Sequence, residues 1–342
     1  MSKFSIRLVF IFIVSVETIC IGQNSAPQRT ETPLPTKPPT SVAPAAKPTL
    51  SPEQQLRKAV AFLNVFCPTD PKNPKIGVSG TGFFLTYTDA KMGNDVEDHY
   101  LVTNRHIAEC WDENNKPRPV QKATIMVNLA SGSVHEFLLG EGRIPWFFPV
   151  DPSVDLAIMP LTVDHSLVDY LSIPSKGFLV DESPLSEGQR ILFSGLFVRF
   201  PGIQKVQPIV REGTLAMVPD EKLTTTTGQP GKLYLGDVHV FHGNSGSPVL
   251  VDLKSSNPGV ISASYYLLLG VVSGVYPEDD DFEIETASTL KGTLHANSGI
   301  AMIVPALSIK ALLEQPDVQV QRDEEVNKYQ REHKTDSTPP KQ

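Results

Sequence analysis

Phe241–Leu250 reads FHGNSGSPVL. Ser245 sits in Gly-Asn-Ser-Gly-Ser-Pro, with small residues on both sides and the start of an apolar strand behind it. Two glycines permit backbone angles that other residues resist. A nucleophile on a tight turn needs that setting, but an ordinary glycine turn also looks like it, so the rest of the chain must decide. A serine hydroxyl is a weak nucleophile unless a base lies within hydrogen-bond reach and an acid holds that base in the correct tautomer. His106 closes the strand-like run YLVTNRH (Tyr100–His106). Asp155 stands at the mouth of the apolar run VDLAIMPL (Val154–Leu161), an odd place for a charge without a task. His106, Asp155 and Ser245 therefore follow in that order, 49 and then 90 residues apart.

The chain has 342 residues, 40% of them hydrophobic and 20% charged, enough for a real core in one or two domains. A net charge of -8 argues against nucleic acid as a partner. Lys3 and Arg7 precede a short apolar core, Leu8–Val16, and Cys20-Ile21-Gly22 offers small residues for signal cleavage before Gln23. Residues 1–22 thus read as a signal peptide, which predicts a secreted or periplasmic protein with no stable membrane insertion after its removal. A membrane anchor is the rival, although the apolar run is short for a span and Glu17 interrupts it; lipidation of Cys20 is another. Residues 23–50, rich in Pro, Thr, Ala and Ser, read as a disordered linker. Ser51-Pro52-Glu53-Gln54 reads as a helix start.

From about Lys58 to Val304, short β-rich runs are broken by Gly, Pro, Asn and Asp. Examples are Ala59–Phe66, Gly82–Tyr87, Ala123–Leu129, Ile191–Val198, Val206–Val218 and Leu267–Val275. That rhythm predicts an all-β barrel or sandwich. Pro305–Glu314 reads as a closing helix with Leu307, Ile309, Leu312 and Leu313 on its apolar side. Residues 316–342 are polar and read as a disordered tail.

Taken together, these motifs resemble the trypsin-like (chymotrypsin-fold) serine peptidases, in particular the bacterial type of the HtrA-like proteases and glutamyl endopeptidases. Gly80-Thr81-Gly82-Phe83-Phe84, Thr103-Asn104-Arg105-His106, Asp155-Leu156-Ala157-Ile158 and Gly243–Pro248 carry the likeness, supported by GQRILFSG (Gly188–Gly195), REG (Arg211–Gly213) and SGIAMIVP (Ser298–Pro305). The resemblance covers residues 58–315 and implies two six-stranded antiparallel β-barrels with a C-terminal helix, a peptidase domain over 51–315, and a protein or peptide substrate. It implies Ser245 as nucleophile, His106 as general base and acid, Asp155 as its orienting partner, and the amides of Gly243 and Ser245 as an oxyanion hole. No cofactor and no metal are expected for such chemistry. His239 would line the base of the primary pocket, and Ser273, Gly274 and Val275 would pair with substrate backbone.

The chain departs from the family's digestive members. Asn244 replaces an aspartate that pairs with a new N-terminal amine, which implies that no activating cut is required. Cys110 lies four residues past His106, not directly after it, so a Cys67–Cys110 bridge cannot be carried over. The residues themselves leave both a bridge and two free thiols open. The acidic run Glu278–Glu285 reads as a loop, solvated or able to attract a cation or basic substrates. His239 also reads as an exposed or core-satisfied imidazole, and His242 as a turn residue. A binding protein on the same fold, with its cleft used for recognition, is the competing function.

Overall fold

A computed structural model describes residues 50–68, 77–88, 97–111, 116–142, 144–254, 264–285 and 289–334. The signal expected over 1–22, the linker expected over 23–50 except Leu50, and the last residues of the tail lie outside these. Helix α1 (Pro52–Ala59) leads into strands β1 (Val60–Phe66), β2 (Gly77–Thr88) and β3 (Glu97–Thr103), then the one-turn helix α2 (Arg105–Ala108). Strands β4 (Cys110–Trp111), β5 (Pro117–Arg118), β6 (Lys122–Asn128), β7 (Val134–Glu141), β8 (Ala157–Pro160) and β9 (Ile173–Pro174) complete the first half. The second half holds β10 (Arg190–Gly195), β11 (Ile209–Met217), β12 (Leu223–Thr224), β13 (Pro230–Gly231), β14 (Tyr234–Asp237), β15 (Pro248–Lys254), β16 (Ser264–Glu285) and β17 (Thr289–Pro305). Helices α3 (Ala306–Leu313) and α4 (Pro316–Lys334) follow.

The architecture is all-β and chymotrypsin-like. Six strands run in the order β7-β6-β1-β2-β3-β8, with β9 added parallel to β2, and β10-β11-β14-β17-β16-β15 close into a barrel. Period-two alternation explains how the strands serve two cores. On β2 and β3, Phe84 and Leu101 fill the inside of the first sheet with Leu63, Ile107 and Ile125. Their neighbours Phe83, Leu85, Tyr100 and Val102 point the other way, onto Leu268, Val271, Met302 and Val304 of the barrel. Ile191, Phe193, Val249, Leu269 and Ile303 fill the barrel itself. On β16, the register skips Leu269 between Leu250↔Leu268 and Val249↔Gly270. That bulge changes the phase, so Val271 faces the shared core and Val272 the barrel interior.

Helix α1 starts as its sequence predicts. Ser51 Oγ accepts from the Gln54 amide, and the Gln54 side chain accepts from the Ser51 amide, a complete capping box. Helix α3 buries Ala306, Ile309, Leu312 and Leu313, while Leu307, expected on its apolar side, is exposed.

Two expectations require correction. Residues from 316 are not a disordered tail as far as 334: they form α4, whose first turns bury Val318 and Arg322. The Arg322 guanidinium donates to the Leu313 carbonyl (2.7 Å) and the Tyr100 hydroxyl (3.3 Å), and lies 4.8 Å from the Tyr87 ring centre. An aromatic wall and a helix-end carbonyl thus accept a charge that composition alone places in water. Glu278–Glu285 is not a loop but the outer part of β16, in register with β17 from Pro277↔Asn297 to Glu285↔Thr289. The paired backbone continues outward from the barrel, overriding the low strand propensity of Asp and Glu.

Cys67 and Cys110 form a disulfide with Cα atoms 5.6 Å apart. It ties the end of β1 to the segment just after α2. Closing a span of 43 residues predicts that Cys67→Ala/Cys110→Ala lowers the free energy of unfolding by about 2–4 kcal/mol. Denaturant titration measures this; a loss near zero would mean that α2 is anchored by packing alone.

Candidate active site

The sheet register brings His106 and Asp155 together. Thr103, the last residue of β3, pairs with Ala157, the first of β8. His106 lies three residues beyond the former and Asp155 two before the latter, so both emerge at one end of the same strand pair. Between them, buried Asn104 donates from Nδ2 to the Asp155 carbonyl at 2.8 Å, and Thr103 Oγ1 donates to the Thr81 carbonyl at 2.7 Å.

Asp155 is fully buried, and its carboxylate clamps His106 at two points. Oδ1 accepts from the His106 amide at 3.1 Å, and Oδ2 lies 2.7 Å from His106 Nδ1. Oδ2 also lies 2.7 Å from both Thr226 Oγ1 and Ser273 Oγ. Burial pushes the carboxyl upward and is the largest single influence. The His106 ring, then the Ser273 and Thr226 hydroxyls, outweigh it together and hold the group below the ordinary aspartate range. The carboxylate is therefore ionised near neutrality, which requires His106 to present Nδ1–H to it.

Ser245 sits on the turn before β15, and the turn depends on both halves of the molecule. Gly243 and Gly246 have φ of 96° and 87°, left-handed values that favour glycine. Thr81 of β2 holds the turn twice and ties it to Leu196. Its amide donates to the Ser245 carbonyl (2.8 Å), its hydroxyl donates to the Gly243 carbonyl (2.8 Å), and the same hydroxyl accepts from the Leu196 amide (2.9 Å). On the barrel side, the Gly246 amide donates to the Val272 carbonyl at 2.9 Å. Buried Asn244 accepts from the Phe241 amide and donates to the Leu196 carbonyl, both at 2.8 Å. The amides of Asn244, Gly246 and Ser247 are all spent on backbone carbonyls; among the described residues, those of Gly243 and Ser245 have no such acceptor. The Ser245 hydroxyl donates to the Ser273 carbonyl at 3.3 Å.

Gly274 and Val275 pair with β17 on one side, with Met302 and Ala301, and Ser273 falls at the register shift between Val272↔Ile303 and Gly274↔Met302. On the other side, β15 pairing ends at Pro248↔Val271, so the strand edge next to Ser245 is not covered by β15. The Ser273 side chain is buried and turned to Asp155. His239 is exposed and lies against Gly299. It lines a groove of about 720 Å³ with Arg211, Asp237 and Val238, which does not include His106 or Ser245. Among the described residues, no group of His, Cys, Asp and Glu is arranged to hold a metal ion.

Two contributors escaped the sequence reading. Thr81 lay within a quoted glycine-rich segment, but nothing local marks its hydroxyl as the support of a turn 162 residues away. Thr226 is one of four consecutive threonines, Thr224–Thr227, and nothing in that run distinguishes the residue that reaches Asp155.

No family model and no curated protein matches this chain. Among solved structures it is similar to one titled "Crystal structure of Deg5", at 15% identity and a TM-score of 0.37, over 60% of this chain and 82% of that one. A likeness this slight adds nothing to what the strands and side chains above establish.

Proposed function

We propose that this chain is an exported serine endopeptidase acting through an acyl-enzyme. The observation that supports this most is the two-point clamp of buried Asp155 on His106, joined through Ser273 to a serine on a glycine turn with two uncommitted amides. With its proton on Nδ1, the imidazole has a lone pair on Nε2. That nitrogen accepts the Ser245 proton as Oγ bonds to the substrate carbonyl carbon, and the carbonyl π electrons move onto oxygen. The Gly243 and Ser245 amides receive the resulting oxyanion. Collapse breaks the C–N bond, and His106 returns the proton to the departing amine. Water then attacks the ester with the same base, releasing the acid and restoring Ser245.

In this reading, Ser245 exchanges its resting bond to the Ser273 carbonyl for one to His106 as substrate arrives; such bonds are often loose before substrate binds. The edge of residues 273–275 pairs with an extended peptide. Asn244, satisfied by Phe241 and Leu196, has no need of a cleaved N-terminus. The Cys67–Cys110 disulfide fits an oxidising compartment. Among the described residues, no helix is long and apolar enough to cross a membrane. Residues 1–22 acting as a signal, and 51–315 as the peptidase domain, complete the proposal.

The Ser245–Ser273 bond favours one competing reading, a binding protein whose serine stays unengaged. Fluorophosphonate labelling of the full chain separates the two. Labelling of the parent, lost in Ser245→Ala and in His106→Ala, is the expected result. A folded parent that stays unlabelled overturns the peptidase reading in favour of binding.

A further inference from the structure

Asp155 Oδ2, Thr226 Oγ1 and Ser273 Oγ form a triangle of short contacts, with 2.7 Å from the carboxylate to each hydroxyl and 2.6 Å between the hydroxyls. Two hydroxyl protons cannot serve three edges. Either both hydroxyls donate to the carboxylate, or one donates to the other and leaves a single donor on Oδ2. Both arrangements use the Thr226 oxygen, which reaches the carboxylate from the turn between β12 and β13.

The Thr226 hairpin is well held. Thr225 is buried; its amide donates to the Gln229 carbonyl (3.0 Å), its hydroxyl meets Thr227 Oγ1 (2.9 Å), and the Tyr276 hydroxyl donates to the Thr224 carbonyl (3.1 Å). Thr226 itself is exposed. Its Cγ2 lies 2.9 Å from where a Cβ on Gly274 would stand, so it flanks residues 273–275 and covers the acid from the solvent side.

We infer that Thr226 is a positioning residue: its hydroxyl completes the hydrogen-bond shell of Asp155, fixes the carboxylate against His106 Nδ1 and keeps water from that oxygen. Its consequence for rate rests on the peptidase reading; its effect on the His106–Asp155 hydrogen bond does not. With one donor fewer, Oδ2 becomes a stronger acceptor for Nδ1–H. Water entering in place of the hydroxyl loosens the orientation that the transition state requires.

The test uses the full chain as parent, Thr226→Val and Thr226→Ser. Steady-state hydrolysis of a peptide ester is measured alongside the proton resonance of His106 Nδ1–H. In Thr226→Val, kcat is expected to fall about tenfold at unchanged KM, with the resonance moving downfield; Thr226→Ser should restore both. A Thr226→Val protein with the parent's resonance and kcat overturns the inference and leaves the peptidase reading intact. Thr226→Ser behaving like Thr226→Val also overturns it, because the hydroxyl would then not be the agent. A parent without hydrolysis whose resonance still moves in Thr226→Val upholds the positioning role and defeats the peptidase reading.

Discussion

Asp155→Asn is expected to lower kcat by about ten-thousand-fold in a protein that still folds. The donors around the carboxylate determine why. The His106 amide faces Oδ1; His106 Nδ1, Thr226 and Ser273 face Oδ2. An asparagine must place its NH2 at one of these two positions. At the Oδ1 position it would oppose a backbone N–H that cannot turn away. At the Oδ2 position, both hydroxyls can rotate to accept, and the imidazole can accept if its proton moves to Nε2. The second arrangement is therefore preferred: one N–H reaches the imidazole and the other a hydroxyl, which can turn its own proton to the second hydroxyl. It also puts a proton on the nitrogen that must take one from Ser245. The loss falls on kcat, and nitrogen NMR of His106 should report the exchanged tautomer. A fall of less than tenfold would mean that His106 does not act as the base.

What could be read from the chain was whatever local covalent chemistry imposes. Gly243–Pro248 announces its turn because few residues tolerate the backbone there. The Ser51–Gln54 cap forms among neighbours three residues apart, and strand alternation is written in the residues that alternate. The positions of His106 and Asp155 could be inferred because each lies within three residues of a strand end, and those ends pair. What could not be read depends on distant partners. Arg322 is buried only because Tyr87, Tyr100 and the end of α3 surround it; as a polar segment, α4 has no local sign of docking. The acidic run in β16 follows the strand that enters it, not its own propensity. Thr226 reaches an acid 71 residues away in sequence, and any of its three neighbouring threonines would read the same.

Gly246→Ala is expected to cost about 3–5 kcal/mol of stability and to abolish labelling of Ser245. At φ of 87°, a non-glycine residue carries about 1–2 kcal/mol of backbone strain. The larger obstacle is steric. A Cβ would stand 1.8 Å from the Thr81 carbonyl oxygen and 2.6 Å from Thr103 Oγ1. That carbonyl belongs to β2 where Thr81 pairs with Phe62 of β1 and accepts from Thr103 Oγ1, and it cannot yield without shifting a core strand. The turn must retreat instead, which breaks the Thr81–Ser245 backbone bond and the Gly246–Val272 bond that now suspend it between the two halves. Gly243→Ala is the matched comparison. Its φ of 96° is as unfavourable, but the first atom a Cβ meets is Val198 Cγ2, at 2.6 Å, and Val198 is an exposed side chain that can rotate. Thermal unfolding should therefore place Gly246→Ala well below Gly243→Ala, while both lose reactivity with the serine probe. Equal melting temperatures would show that the Thr81 contact is not what fixes the turn.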